Sequence, residues 1–250
     1  MIFSKKALVF FLTLIFTAGW QSSYSQKKSF ELKEKRVVIE NDGWKLIGDL
    51  QIPKSKTKVP AVILLNRAGG NRQAYERLVG QLARRGIATL RLDLRAHGES
   101  INKGKFGPPF DEKMRAMLVG SDTDVTVAFK YLESDPKMDA ARIGFVGGSY
   151  SGEVMVESAR KNKYGKAYVA LSPGSFSDES MEAIDGSGIP WFFVKSVDEI
   201  ALMKEVFADL REKSKTAQIL EVGGKEHASG ILGDHPELNE MIAVWFKNKL

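Results

Sequence analysis

One serine lies in a setting that could make its hydroxyl a nucleophile. Ser149 is in the segment Gly147 to Gly152, which follows the apolar stretch Arg142 to Val146 and precedes a stretch with helical spacing. Where a small-x-Ser-x-small sequence joins a strand to a helix, the chain bends sharply, the serine backbone is strained and the hydroxyl is exposed. The helix N-terminus also places free N–H groups beside the hydroxyl. The pattern therefore predicts acyl-transfer chemistry at Ser149.

A nucleophilic serine needs a general base, and the chain contains three histidines. With this kind of serine bend, the base follows the serine along the chain and stands in a loop after a late strand. His227 meets both conditions, because it follows the predicted strand 217–222. His235, at the start of the last predicted helix, is the alternative. His97 precedes the serine and is expected to be a structural residue of its loop.

The base in turn needs a carboxylate that orients its ring and stabilises the imidazolium. This acid should follow the strand that precedes the base, predicted at Trp191 to Val194. Asp198 is the first choice and Glu199 the second. Asp198 could equally cap the helix that follows, and the two roles are compatible.

Backbone N–H groups are expected to stabilise the oxyanion of the tetrahedral intermediate. One donor should be the N–H of Tyr150, directly after the nucleophile. The other should come from the loop Asn66 to Asn71, after the apolar strand Ala61 to Leu65. Glycines at positions 69 and 70 would allow a tight turn in this loop.

The elements around these residues predict an α/β fold. A hairpin (36–40 and 45–52) is followed by strands that alternate with helices, which indicates a mostly parallel sheet of about eight strands with helices on both faces. The predicted strands are 36–40, 45–52, 61–65, 87–94, 142–146, 167–171, 191–194 and 217–222, and the predicted helices are 71–85, 122–133, 150–161, 199–213 and 236–249. In such sheets the loops at the carboxyl ends of the strands form the binding crevice. Segment 172–190 is too short for a large cap, so an open site is expected.

Five segments carry a family likeness, in the family's order: LLNRAGGN (64–71), DLRAHGES (93–100), VGGSYSG (146–152), VKSVDE (194–199) and GGKEH (223–227). The chain from about residue 33 to 250 resembles the α/β-hydrolase superfamily, in particular its small dienelactone-hydrolase-like serine esterases. The resemblance implies an α/β-hydrolase fold that acts without a cofactor on a small-molecule ester or other acyl substrate. It implies the roles Ser149 nucleophile, Asp198 acid, His227 base, and Ala68 and Tyr150 oxyanion donors.

Two positions depart from the family pattern. The family usually has His-Gly where this chain has Asn66-Arg67, and Arg67 could not copy a glycine with positive φ cheaply. Arg67 either points to solvent or receives an acidic group of the substrate, a role for which arginine is suited. Ser151 replaces the more usual glycine and is small enough to leave the serine bend intact.

Other functions remain open at this stage. The same fold and triad serve peptidases and other acyl hydrolases, so the ester preference is an expectation, and a catalytically silent binding protein is a further alternative. Three dispersed histidines without cysteine show no metal-ligand spacing. The net charge is +6, but the basic residues are scattered and form no nucleic-acid motif.

The first 25 residues have the layout of a secretory signal peptide. Lys5 and Lys6 precede an apolar run from Ala7 to Trp20, and Ser23 and Ser25 occupy the small-residue positions before a cleavage site. The alternative is a single membrane anchor, but the run is shorter than the ~20 residues that span a bilayer. We therefore expect an exported protein, periplasmic or secreted, without a stable membrane anchor after cleavage, with a linker at 26–32 and one α/β-hydrolase domain at 33–250. The chain has no cysteine, so its core must hold the fold without disulfides.

Overall fold

The computed structural model describes residues 32–174, 176–214 and 217–250. The predicted signal peptide (1–25) and the linker up to residue 31 lie outside the described residues. The described sheet begins at Leu32, the last residue assigned to that linker.

Eight strands are present in the described part of the chain. They are β1 (Leu32–Asn41), β2 (Trp44–Pro53), β3 (Val59–Leu65), β4 (Ala88–Leu92), β5 (Met138–Gly148), β6 (Ala167–Leu171), β7 (Trp191–Ser196) and β8 (Gln218–Val222). The helices are α1 (Glu76–Ala83), α2 (Glu112–Ala116), α3 (Ser121–Ser134), α4 (Tyr150–Asn162), α5 (Asp178–Gly186), α6 (Ala201–Lys213), α7 (Ile231–Asp234) and α8 (Glu237–Lys249), with 3-10 turns at Arg72–Tyr75 and Ala228–Gly230.

The strands form one sheet in the order β1-β2-β4-β3-β5-β6-β7-β8. β1 and β2 form the predicted antiparallel hairpin, β2 also runs antiparallel to β4, and β3 to β8 are parallel. The strand order reverses direction at β3, between β4 on one side and β5 on the other. The crevice outside the carboxyl ends of strands at such a reversal is where ligands bind in open α/β sheets.

Helices cover both faces of the sheet, as predicted. On one face α3, α4, α5 and α6 pack on a core that includes Phe145, Tyr168, Trp191 and Phe193. On the other face α1, α7 and α8 pack on the remaining inward residues of the parallel strands. The seven residues of β3 are all buried, which explains why that strand is a continuous apolar run rather than an alternating one.

The structure confirms the predicted α/β-hydrolase architecture and adjusts some bounds. The predicted helix at 71–85 begins with a 3-10 turn at Arg72–Tyr75 and becomes α-helical at Glu76. Segment 172–190 contains only the short helix α5, and no large cap covers the sheet in the described part of the chain. None of the described helices is both long and apolar enough to cross a membrane.

Candidate active site

Ser149 lies in the strained bend that the sequence predicts. β5 ends at Gly148 and α4 begins at Tyr150, and Ser149 between them has φ 56° and ψ −130°. A non-glycine residue with positive φ is uncommon and persists only where its surroundings hold it. Here the Ser149 N–H donates to the Leu171 carbonyl at 2.9 Å, and its carbonyl accepts from the Gly152 N–H at 2.8 Å.

Small residues on both sides make this bend possible. A Cβ on Gly147 would lie 2.7 Å from the backbone oxygen of Ser151, so the backbone would have to shift to accept any side chain there. Ser151, the departure from the family pattern, has a structural use. Its hydroxyl accepts the Gly148 N–H at 2.8 Å and lies 3.2 Å from the carbonyl oxygen of Leu65, the last residue of β3. The bend is therefore tied to the neighbouring strand.

The structure corrects the predicted acid. His227 Nδ1 lies 2.5 Å from Glu199 Oε1, and Glu199 is buried at 6% exposure. Asp198, the first choice, is exposed on the outside of the turn after β7, where its N–H donates to the Gly224 carbonyl. The prediction that Asp198 contacts His227 is therefore wrong, and the second choice, Glu199, makes that contact.

The Glu199 carboxylate is held from several directions. Its Oε2 accepts the Ser172 hydroxyl at 2.8 Å and the Ser196 N–H at 3.0 Å, while Oε1 accepts Nδ1–H of His227. A carboxylate can only accept here, so a neutral His227 ring in this contact would carry its proton on Nδ1 and keep the Nε2 lone pair free. This is the tautomer that a general base requires.

Ser172 joins Glu199 to the loop of His227. Its hydroxyl donates to Glu199 and accepts the Ala228 N–H at 3.1 Å. Ser172 is fully buried and, like Ser149 and Ala228, is a non-glycine residue with positive φ. Three strained residues thus surround the same edge of the sheet, as is typical of functional sites. The sequence analysis missed Ser172, and its position directly after β6 was the available signal.

The loops of Ser149 and His227 are in contact. A Cβ added to Gly148, the residue before the serine, would lie 3.1 Å from Cβ of Ala228, the residue after the histidine. Within the described part of the chain, the Ser149 hydroxyl makes no hydrogen bond, so the expected Ser149–His227 bond is not formed in this structure. Such bonds are often long or poorly aligned without substrate.

The two predicted oxyanion donors are the N–H groups of Tyr150 and Ala68. Tyr150 is the first residue of α4, so its N–H has no partner within the helix. The Ala68 N–H makes no hydrogen bond within the described residues. Positive φ in the Ala68 loop falls on Gly69, at 68°, and not on Asn66 or Arg67. Arg67 therefore fits this loop without strain.

A cleft of about 910 Å³ lies between the Ala68 loop and the His227 loop. Its lining includes Arg67, Arg77, Glu226 and His227, whereas Ser149 is not part of the lining. Arg67 is exposed. The predicted substrate-binding residue, Arg67, thus lines the same cleft as the predicted base, His227.

The other two histidines are engaged elsewhere. His97 is buried against the rings of Phe106 and Tyr150, and burial lowers its pKa. Both ring nitrogens of His235 are occupied, by the Gly223 carbonyl at 2.7 Å and by Glu237 at 3.1 Å, and these contacts raise its pKa. Only His227 is held by a buried carboxylate among the described histidines. The described residues contain no group of three or more side chains that could hold a metal ion.

Comparison with known proteins supports the family likeness. The model of the dienelactone hydrolase family matches residues 47–223. No match to the chain was found among curated proteins.

Solved structures share the fold at low sequence identity. The chain is similar to Est1E from Butyrivibrio proteoclasticus, with a TM-score of 0.66 and 17% identity over 86% of this chain and 99% of that one. It is also similar to a dienelactone hydrolase from Anabaena variabilis, with a TM-score of 0.67 and 17% identity over 88% and 99% of the two chains. A dienelactone hydrolase-like promiscuous phosphotriesterase, P91 from metagenomic libraries, gives a TM-score of 0.67 at 16% identity over 87% and 98%.

Proposed function

The chain belongs to the dienelactone hydrolase family, and from this premise we propose that it is a serine hydrolase that cleaves carboxylic esters through an acyl-enzyme. Family membership supports a hydrolase of the α/β fold that acts on small-molecule esters. The finer proposal depends on one observation, the contact between the buried Glu199 carboxylate and His227, beside the strained bend at Ser149.

In the first half of the proposed reaction, Ser149 attacks the ester carbonyl. His227 Nε2 removes the proton of the Ser149 hydroxyl as Oγ bonds to the carbonyl carbon, and the carbonyl oxygen becomes an oxyanion. The N–H groups of Tyr150 and Ala68 would stabilise this charge. Collapse of the tetrahedral intermediate expels the alcohol, which takes the proton from the His227 imidazolium, and leaves the acyl group on Ser149.

In the second half, water replaces the alcohol. His227 takes a proton from the water as its oxygen attacks the acyl carbon, and the same two N–H groups stabilise the second oxyanion. The acid product leaves as Ser149 recovers its proton. Throughout, the negative charge of Glu199 would hold Nδ1–H in place and stabilise the imidazolium whenever it forms.

We also propose that Arg67 contacts an acidic group of the substrate. Its exposed guanidinium lines the cleft that His227 also lines. A guanidinium presents paired N–H donors that match a carboxylate. Arg67→Gln is therefore expected to raise KM for esters that carry a carboxylate and to leave KM for neutral esters nearly unchanged.

The proposal is tested with a fluorophosphonate probe and a panel of p-nitrophenyl esters. We expect labelling at Ser149 and steady ester turnover, with kcat lowered about 10⁶-fold in Ser149→Ala, because that replacement removes the nucleophile. A wild-type chain that is neither labelled nor active would contradict the proposal and favour a silent binding protein. Faster cleavage of dipeptide amides than of esters would replace the ester assignment by a peptidase.

Export is a separate proposal that the sequence of the first 25 residues supports. The full chain, expressed in a bacterial host, should be recovered outside the cytoplasm with an N-terminus near Gln26. Recovery of the whole chain, with Met1 intact, in the cytoplasmic fraction would contradict it.

A further inference from the structure

Asn66 occupies an unusual position at the end of β3. It is fully buried, although asparagine is mostly found at protein surfaces. Its Oδ1 accepts the Leu94 N–H at 2.8 Å, and its Nδ2 donates to the Arg67 carbonyl oxygen at 2.9 Å. The side chain thus connects the loop after β4 to the peptide bond between Arg67 and Ala68.

The Arg67 carbonyl receives a second hydrogen bond. The Gly70 N–H donates to it at 2.9 Å and closes a tight turn over Arg67–Gly70, with Gly69 at φ 68° in the third position of the turn. Two donors from different directions therefore fix the orientation of this carbonyl.

The orientation of the carbonyl determines the direction of the next N–H. In a trans peptide the C=O and N–H groups point in opposite directions. With the Arg67 oxygen held by Asn66 and Gly70, the Ala68 N–H must point away from both donors, and it has no partner in the described part of the chain. A rotation of this one peptide plane would remove the donor from the oxyanion.

We propose that Asn66 is a positioning residue that holds the Arg67–Ala68 peptide so that the Ala68 N–H serves as an oxyanion donor. This inference deepens the proposed function and rests on it. Asn66 itself touches no substrate. Its effect is expected in the transition state, where the oxyanion is fully developed, and much less in the binding of the ground-state ester.

Two variants separate the two hydrogen bonds of Asn66. Asn66→Asp keeps an acceptor for the Leu94 N–H and loses the donor to the Arg67 carbonyl, while Asn66→Ala loses both. Since complete loss of an oxyanion donor costs about 10²–10³ in kcat, we expect a loosened donor to lower kcat about 10- to 100-fold in each variant, with KM changed less than about threefold.

Ser158→Ala is the matched control. Ser158 is also fully buried and its hydroxyl donates to the Asp122 carbonyl at 2.7 Å, on α4 but more than two turns from Ser149. The control should lose stability with kcat within about twofold of the wild type. A merely structural role for Asn66 would give Asn66→Asp and Asn66→Ala the same unchanged kcat, and that result would overturn the inference.

The design also separates this inference from the proposed function. If the wild type hydrolyses esters and the Asn66 variants keep the wild-type kcat, only the role of Asn66 is refuted. A wild type that neither hydrolyses esters nor reacts with the fluorophosphonate removes the proposed function and the role of Asn66 together. A fall in kcat confined to the Asn66 variants supports both.

Discussion

At the scale of single residues, the two neighbouring carboxylates after β7 have different environments. Glu199 is buried and holds His227, Ser172 and the Ser196 N–H, while Asp198 is exposed. The turn that follows β7 directs one side chain under the loop of His227 and the other to solvent. A carboxylate with three hydrogen-bond donors inside the protein is well suited to orient an imidazole.

The first prediction concerns this pair. Glu199→Gln should lower kcat about 10³- to 10⁴-fold, because an amide neither stabilises the imidazolium nor enforces the Nδ1–H tautomer. The matched replacement Asp198→Asn should leave kcat within about twofold, since Asp198 does not contact His227. Steady-state kinetics on one p-nitrophenyl ester would check both, and a larger loss in Asp198→Asn than in Glu199→Gln would refute the assignment.

The choice between Asp198 and Glu199 marks the limit of what the sequence alone predicts for single residues. Ser149 and His227 are predicted from chain order and strand ends, with His235 as the alternative base, and their roles remain predictions. Asp198 and Glu199 both follow the same strand, and the conformation of a short turn decides which of them points inward. The contacts of Ser172 with Glu199 and of Asn66 with Leu94 were not predicted, because each contact joins segments that are distant along the chain.

At the scale of elements, the bend between β5 and α4 depends on close backbone approach. A Cβ on Gly147 would collide with the backbone of Ser151 and Gly152, at 2.7 to 2.9 Å. Backbone atoms inside a helix cannot move aside as the end of a flexible side chain can. The strand and the helix could be predicted from their patterns, and the bend between them from its small residues.

The second prediction tests the close backbone contact at Gly147. Gly147→Ala should lower the free energy of unfolding by about 1–3 kcal/mol through overpacking and should reduce ester turnover as the bend shifts. Gly186→Ala is the control, because Gly186 ends α5, a Cβ there meets nothing within 4 Å, and alanine favours a helix. Urea unfolding would measure both, and equal stability of the two variants would contradict the collision.

At the scale of the whole molecule, a cluster of charges joins segments from the first hundred residues. Buried Arg72 contacts Asp93 at 2.6 Å, Asp49 at 2.8 Å and Glu99 at 2.8 Å, and Glu99 also pairs with Arg36 on β1. Hydrogen bonds from Arg36 and then Arg72 lower the pKa of Glu99 from 4.5 to about 2. The cluster thus links the β1–β2 hairpin to the segments that follow β3 and β4.

The third prediction is the pH dependence of this cluster. Because the pKa of Glu99 is lower in the folded state, its ionised form adds stability that is fully present above pH 4.5 and is lost as the pH falls towards about 2. Glu99→Gln should therefore lower Tm at pH 6 and have less effect as the pH approaches 2. Glu133→Gln, at an exposed position on α3 without an ion pair in the described chain, serves as control. A Tm difference between Glu99→Gln and wild type that stays constant from pH 6 to 3 would count against this role.

The place of β8 in the sheet has a consequence for how the protein responds to heat. β8 pairs with β7 alone in the described sheet, its residues are only partly covered, and the loop that it supports carries His227. Ser149, by contrast, follows β5 in the middle of the sheet. Fraying of the edge strand β8 would displace His227 while the strands in the middle of the sheet are still folded. Thermal inactivation should therefore begin at a lower temperature than unfolding of the whole domain.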